Sequence, residues 1–182
     1  HSCDVDGTWT ASPGSNESLP INCVNWQEAY AFCIWDGGFL PTEAEWEYAV
    51  AGGSEQRVYP WGSTDPGTNN EYAIDACQYP SPATVCGDLT SVAPVGTATL
   101  GAGRWGQLDL EGELWEWNLD WYNDYVDPWT DATNLSPSSG GRVIRGGGDA
   151  WDGSDQLDSQ ARYDAVATER WRIIGFRCAR AP

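Results

Sequence analysis

Lysine is absent from this chain of 182 residues: its nine cations are all arginines, they oppose 27 acidic residues, and the net charge is −18. Such a balance disfavours binding to nucleic-acid backbones or anionic membranes and suits divalent cations, a basic partner or a saline exterior. Histidine occurs once, as His1, which argues against zinc and against Ser/His/Asp nucleophilic catalysis. No run of 18 apolar residues is present, which excludes a spanning helix. No secretion signal is visible either, because "HSCDVDGTWT" has neither a basic start nor an apolar stretch. The chain is therefore expected to begin inside a mature or processed protein.

What is present reads as one globular domain. Apolar residues make up 41% of the chain, enough for a sizeable core but not for two ordinary domains. Six cysteines (3, 23, 33, 77, 86 and 178) occur without any Cys-x-x-Cys spacing. That pattern reads as three disulfides rather than a metal cluster, and it places the protein outside a reducing cytosol. The triplets at Asn16 and Asn134 match glycosylation sequons, a short pattern that also arises by chance.

Twenty-one glycines and eleven prolines, spread along the whole length, make long regular elements scarce. Two helices stand out. In "NWQEAYAFCIWDGG", Asn25 is the N-cap, Glu28 completes a capping box, and Gly37 and Gly38 stop the helix. "PTEAEWEYAVAGG" repeats the design with Thr42 and Glu45, stopped by Gly52 and Gly53. From Ser54 to Thr99 the chain reads as turns and short extended pieces. "RVIRGG" (142–147) and "RIIGFRCAR" (172–180) read as short buried strands, each edged by arginine.

The densest chemistry lies in "DLEGELWEWNLDWY", residues 109–122, with five carboxylates and three tryptophans. Carboxylates this close repel one another unless something positive sits among them, while indoles seek burial. The stretch thus implies an arginine partner or a bound cation at the edge of a core. A hard cation such as calcium takes six to eight oxygen ligands, and Gly112 permits the tight turn that aims carbonyls inward. The alternative is a loop of solvated carboxylates closed by Arg104 or Arg145. Trp115, Trp117 and Trp121 are expected to serve packing.

In order along the chain, "FLPTEAEWEYAVAGG", "YPWG", "DLEGELWEWNLDWY", "RVIRGGG" and "GFRCAR" resemble the formylglycine-generating enzyme family, the sulfatase-modifying-factor domain. The resemblance runs from about Pro20 to Arg180. It implies an α+β fold, a variant of the C-type-lectin fold with two helices, small twisted sheets and long loops. It also implies calcium, held by the side chains of Asp109 and Glu116 and the backbone carbonyls of Gly112 and Leu114. Cys33 and Cys178 match a structural disulfide of some family members; Cys77 and Cys86 could staple their own loop, which leaves Cys3 with Cys23. Six cysteines allow fifteen pairings, so this connectivity is one of several. Family domains usually begin with a further N-terminal segment; its lack here raises the expectation of self-assembly through an uncovered strand edge.

The resemblance breaks at the chemistry. The family's enzymes use two cysteines after "RGGS" to bind copper(I), a metal that needs soft thiolates. In "RGGGDAWDGSDQ" those places hold Trp151 and Gln156, and the motif serine is Gly148. A family branch with three-histidine iron is excluded by the single histidine. The expectation is a secreted, extracellular or cell-surface, non-catalytic calcium-binding domain with a structural or recognition role toward protein or glycan. Its weaker candidate ligand site is Asp149, Trp151 and Asp152. The rival is a divergent oxidase or an enzyme using carboxylates such as Asp149 and Asp152.

Overall fold

A computed structural model describes residues 3–76, 78–80, 89–125, 133–147 and 157–181. Both expected helices are present: α2 (Trp26–Trp35) and α3 (Glu43–Val50) follow a short α1 (Cys3–Asp6) that the sequence did not announce. Each has a complete capping box, with Asn25 and Glu28 on α2 and Thr42 and Glu45 on α3. The α2 stop is a Schellman closure: the Gly38 N–H donates to the Cys33 carbonyl and the Gly37 N–H to that of Ile34. Gly37 makes it possible by adopting a φ of +77°.

Four strands form one mixed sheet in the order β3-β2-β1-β4. They are β1 (Trp115–Trp121), β2 (Arg142–Arg145), β3 (Arg162–Ala165) and β4 (Ile174–Gly175). β1 pairs antiparallel with β2 and parallel with β4, and its register slips between Trp117 and Trp121. The extended piece expected over 172–180 is regular only at β4, with one further bridge between Phe39 and Ala179.

The core lies between α2 and the sheet, where Ala29, Cys33, Leu40, Trp115, Trp117, Ile144 and Ile174 pack together. Trp115 and Trp117 are core residues, as expected, and the Trp117 indole N–H donates to the Val24 carbonyl. Trp121 instead stacks on Arg142, whose guanidinium sits 4.2 Å from its ring and 3.7 Å from that of Trp26. A smaller cluster of Trp46, Val50 and Leu110 seats α3 over the loop that precedes β1. Disulfides join Cys3 to Cys23 and Cys33 to Cys178; Cys77 and Cys86 lie outside the described residues. Asn134, of the second sequon, spends its side-chain amide on the Trp121 carbonyl. Among the described residues, no helix is long and apolar enough to cross a membrane.

Candidate functional site

The acidic segment climbs from a loop into β1, and its backbone conformation is built for the purpose. Asp109, Gly112 and Glu113 all have positive φ, of 55°, 86° and 67°. At Gly112 a Cβ would lie 2.7 Å from the Ile74 carbonyl oxygen, so glycine is required by space as well as by conformation. The loop is pinned from both sides: the Gly112 N–H donates to the Gly146 carbonyl (2.9 Å) and the Glu113 N–H to that of Ile74 (2.7 Å).

Asp109, Gly112, Glu113, Leu114, Glu116 and Arg177 share the wall of one cavity of about 360 Å³. The structure thus brings together all four residues expected to hold calcium. One Asp109 oxygen accepts the Gly96 N–H (2.6 Å) and one Glu113 oxygen accepts that of Ala93 (2.8 Å). Burial pushes the Glu113 carboxyl up to about 8, the Ala93 N–H opposes the rise, and the charge of Asp109 adds to it. Burial, followed by the field of Asp158, pushes Glu111 up to about 10.

The arginine that closes the loop is neither of the two expected. Arg104 donates to the Gly52 carbonyl and pairs with Glu55. Arg145 pairs with Glu43 and Glu47 and donates to the carbonyls of Ser159, Gln160 and Ala161. Arg177, from "GFRC", takes the place: its Nε and Nη2 donate to Glu116 at 2.6–2.9 Å. The same guanidinium donates to the Leu108 and Asp109 carbonyls. The Trp46 indole N–H completes the set around Glu116 at 3.0 Å. An arginine inside a strand expected to be buried was the sequence signal that a buried acid awaited it.

The donor set fits a hard cation in kind, since every candidate ligand is an oxygen. Glu116 offers about four acceptor positions. Arg177 Nε and Nη2 and Trp46 Nε1 occupy three of them, so one remains for an ion. Among the described residues, no three Asp, Glu, Cys or His side chains converge as a metal site by themselves. A calcium ion here depends on the Gly112 and Leu114 carbonyls beside the two carboxylates. The other expected site, Asp149 with Trp151 and Asp152, lies outside the described residues, as do Gly148 and Gln156.

Two capped helices over a small curled mixed sheet, with long loops and the acidic turn feeding β1, define an α+β domain of the C-type-lectin-like, formylglycine-generating type. Residues 5–182 match the model of the sulfatase-modifying factor enzyme 1-like domain, and the chain belongs to that family. It is 31% identical to the formylglycine-generating enzyme of Mus musculus over 181 residues, 94% of this chain and 48% of that protein. It is 32% identical to the inactive C-alpha-formylglycine-generating enzyme 2 of the same species over 182 residues, 93% of this chain and 53% of the relative. The chain thus spans about half the length of these curated relatives. Among solved structures, Treponema denticola variable protein 1 superposes with a TM-score of 0.68 at 22% identity, covering 98% of this chain and 78% of the other. PvdO from Pseudomonas aeruginosa superposes with a TM-score of 0.69 at 20% identity, covering 92% and 62%. The family therefore carries both enzymes and a relative named inactive on one scaffold.

Proposed function

We propose that this chain is a non-catalytic, calcium-stabilised recognition or structural domain acting outside the reducing cytosol. The observation that carries the reading is one cavity lined by Asp109, Glu113 and Glu116, with the Arg177 guanidinium held on Glu116. Glu113, pushed up to about 8, keeps its proton at neutral pH. The excess negative charge that a bound divalent ion would neutralise therefore lies with Asp109 and Glu116 against Arg177, and the ion would draw off the Glu113 proton as well. The Gly112 and Leu114 carbonyls would supply further oxygens, the former shared with the Leu114 N–H it accepts at 2.9 Å, while Arg177 and Trp46 hold Glu116 in orientation. Bound there, calcium supplies charge neutralisation and closes the loop onto β1.

The loss of catalysis rests on the sequence, which has Trp151 and Gln156 where the family's copper-binding cysteines stand. All four described cysteines are consumed in disulfides, which supports an oxidising compartment. Unfolding in excess calcium and in chelator tests the reading. Calcium is expected to raise Tm in a concentration-dependent way, and Asp109→Asn to weaken that rise. No calcium dependence overturns the ion. Oxidation of a peptide cysteine in the presence of copper(I) overturns the non-catalytic assignment.

A further inference from the structure

Glu111 takes no part in that loop. It is 3% exposed and, among the described residues, neither carboxyl oxygen meets a hydrogen-bond donor. The arginines on the adjoining segments are engaged elsewhere: Arg57 with Glu55 and the Pro60 carbonyl, Arg145 with Glu43 and Glu47. Burying an unanswered carboxyl is costly: it keeps its proton, as the raised Glu111 does, unless a cation arrives to hold the charged form.

The surroundings of Glu111 suit one kind of cation. The Ser159 N–H and Oγ donate to the Val58 and Arg57 carbonyls, both at 3.1 Å, and so stitch the Tyr59 segment to Asp158. The Gly112–Gly146 hydrogen bond and that from Arg145 Nη2 to the Ser159 carbonyl (3.0 Å) bring the Glu111 turn to the same place. Burial pushes the Tyr59 phenol up, and the charges of Asp65, Glu111 and Asp158 add to the rise. Its ring stacks on Trp61 with centroids 5.0 Å apart and planes 6° from parallel, and Trp61 leans on Tyr72 at 5.6 Å. The Trp61 indole is fixed by donation to the Thr64 carbonyl (2.9 Å). All three rings are half-buried.

We propose that Tyr59, Trp61 and Tyr72, with Glu111 and Asp158, receive the cationic end of an arginine or lysine side chain from a protein partner. A metal ion is the competing chemistry. Calcium gathers oxygens at short range, which aromatic rings do not offer, and no three acidic side chains converge among the described residues. A guanidinium or alkylammonium is instead met by ring faces together with carboxylates spaced around it. A net charge of −18 draws basic partners by long-range attraction. The inference extends the recognition role proposed above and does not use its calcium loop.

The test is calorimetry on the whole chain in saturating calcium, with the Trp61 indole N–H followed by NMR. The probes are acetyl-Gly-Arg-Gly-amide, acetyl-Gly-Lys-Gly-amide, n-butylguanidinium and n-butylammonium. Saturable peptide binding that shifts the Trp61 signal is expected. Glu111→Gln should weaken it at least about tenfold, the loss expected for one charge-assisted hydrogen bond. Asp158→Asn should weaken it less, and it serves as the readout if Glu111→Gln does not fold. Binding that ignores both variants overturns the site, as does no binding. Butylguanidinium or butylammonium binding as tightly as the peptides assigns the site to free amines or guanidines and overturns the protein partner. In chelator, calcium alone reproducing the Trp61 shift in a Glu111-dependent way overturns the organic cation. Calcium-dependent Tm is recorded on the same samples, so failure of this site is distinguishable from failure of the calcium reading.

Discussion

Arg177→Met removes the guanidinium that lines the acidic cavity among the described residues, while keeping a long apolar side chain. Glu116 would then lie 9% exposed with just the Trp46 indole as a donor. Removing one partner of a buried ion pair costs about 3–5 kcal/mol. Arg177 retains 29% of its side-chain surface in solvent, which places the expected loss near the lower end, about 3 kcal/mol. For a chain of this size that is a fall in Tm of roughly 6–12 °C. The measurement is thermal and urea unfolding of both proteins in chelator and again in millimolar calcium. If an ion shares the cavity, Glu116 can turn freed lone pairs toward it, and calcium should stabilise the variant more than the parent. Only the difference in binding narrows the gap: at saturating calcium, a Kd a hundredfold tighter in the variant recovers about 2.7 kcal/mol. A deficit below about 1 kcal/mol in chelator would show the pair contributing no more than an exposed one. A deficit that calcium leaves unchanged would refute a shared cavity.

Gly112 and Gly106 both have φ of +86°, yet only Gly112 has neighbours where a Cβ would go. Gly106→Ala is therefore expected to cost about 1–2 kcal/mol, and Gly112→Ala clearly more, with the calcium response lost; equal costs by urea unfolding would argue against the tight loop. Alkylation in denaturant should find no free thiol before reduction and six after it. Loss of Cys33–Cys178, which spans 145 residues, should cost about 5 kcal/mol by the chain-entropy relation, against about 3 kcal/mol for Cys3–Cys23, which spans 20. The Arg170 hydrogen bond holds the Glu28 carboxyl below its ordinary 4.5, against the raising effect of burial. Because the folded value is depressed, this contribution is present above pH 4.5 and fades as pH falls through the folded value. Arg170→Ala should return the Glu28 titration toward its ordinary position, as read by carboxyl-carbon NMR.

Both longer helices were legible because their signals are local: a capping residue, its reciprocal acid three positions on, and glycines that only a left-handed stop requires. The disulfide framework was legible from cysteine count and family likeness, and two pairs stand as expected. β1 was hidden because "WEWNLDW" is buried on both faces over most of its length, so alternation of apolar and polar residues carries no information there. β3 was hidden for the opposite reason: "RYDA" is an edge strand with two exposed positions and little apolar content. Choosing Arg177 over Arg104 or Arg145 required knowing that β4 lies beside β1, a parallel pairing between segments about sixty residues apart. No local pattern encodes that.

The crowding of acids against indoles in residues 109–122 is resolved at four of the five carboxylates by giving each a different partner. Glu116 has a guanidinium and an indole N–H. Asp109 and Glu113 have backbone N–H groups made available by left-handed turns. Asp120 accepts the N–H groups of Glu43 and Asn134, at 2.7 and 2.6 Å, and so ties the start of α3 to β1. The tryptophans need the acids as well: the Trp46 indole N–H, buried beneath α3, has Glu116 as its acceptor. Polar groups of this kind are tolerated in a core only when each is answered. Among the five carboxylates of the stretch, Glu111 alone has no donor within the described chain, and its charge reaches Tyr59 of the aromatic stack on a molecule with no lysine of its own. The carboxyl left out of the internal pairing is therefore where an external cation has the most to gain.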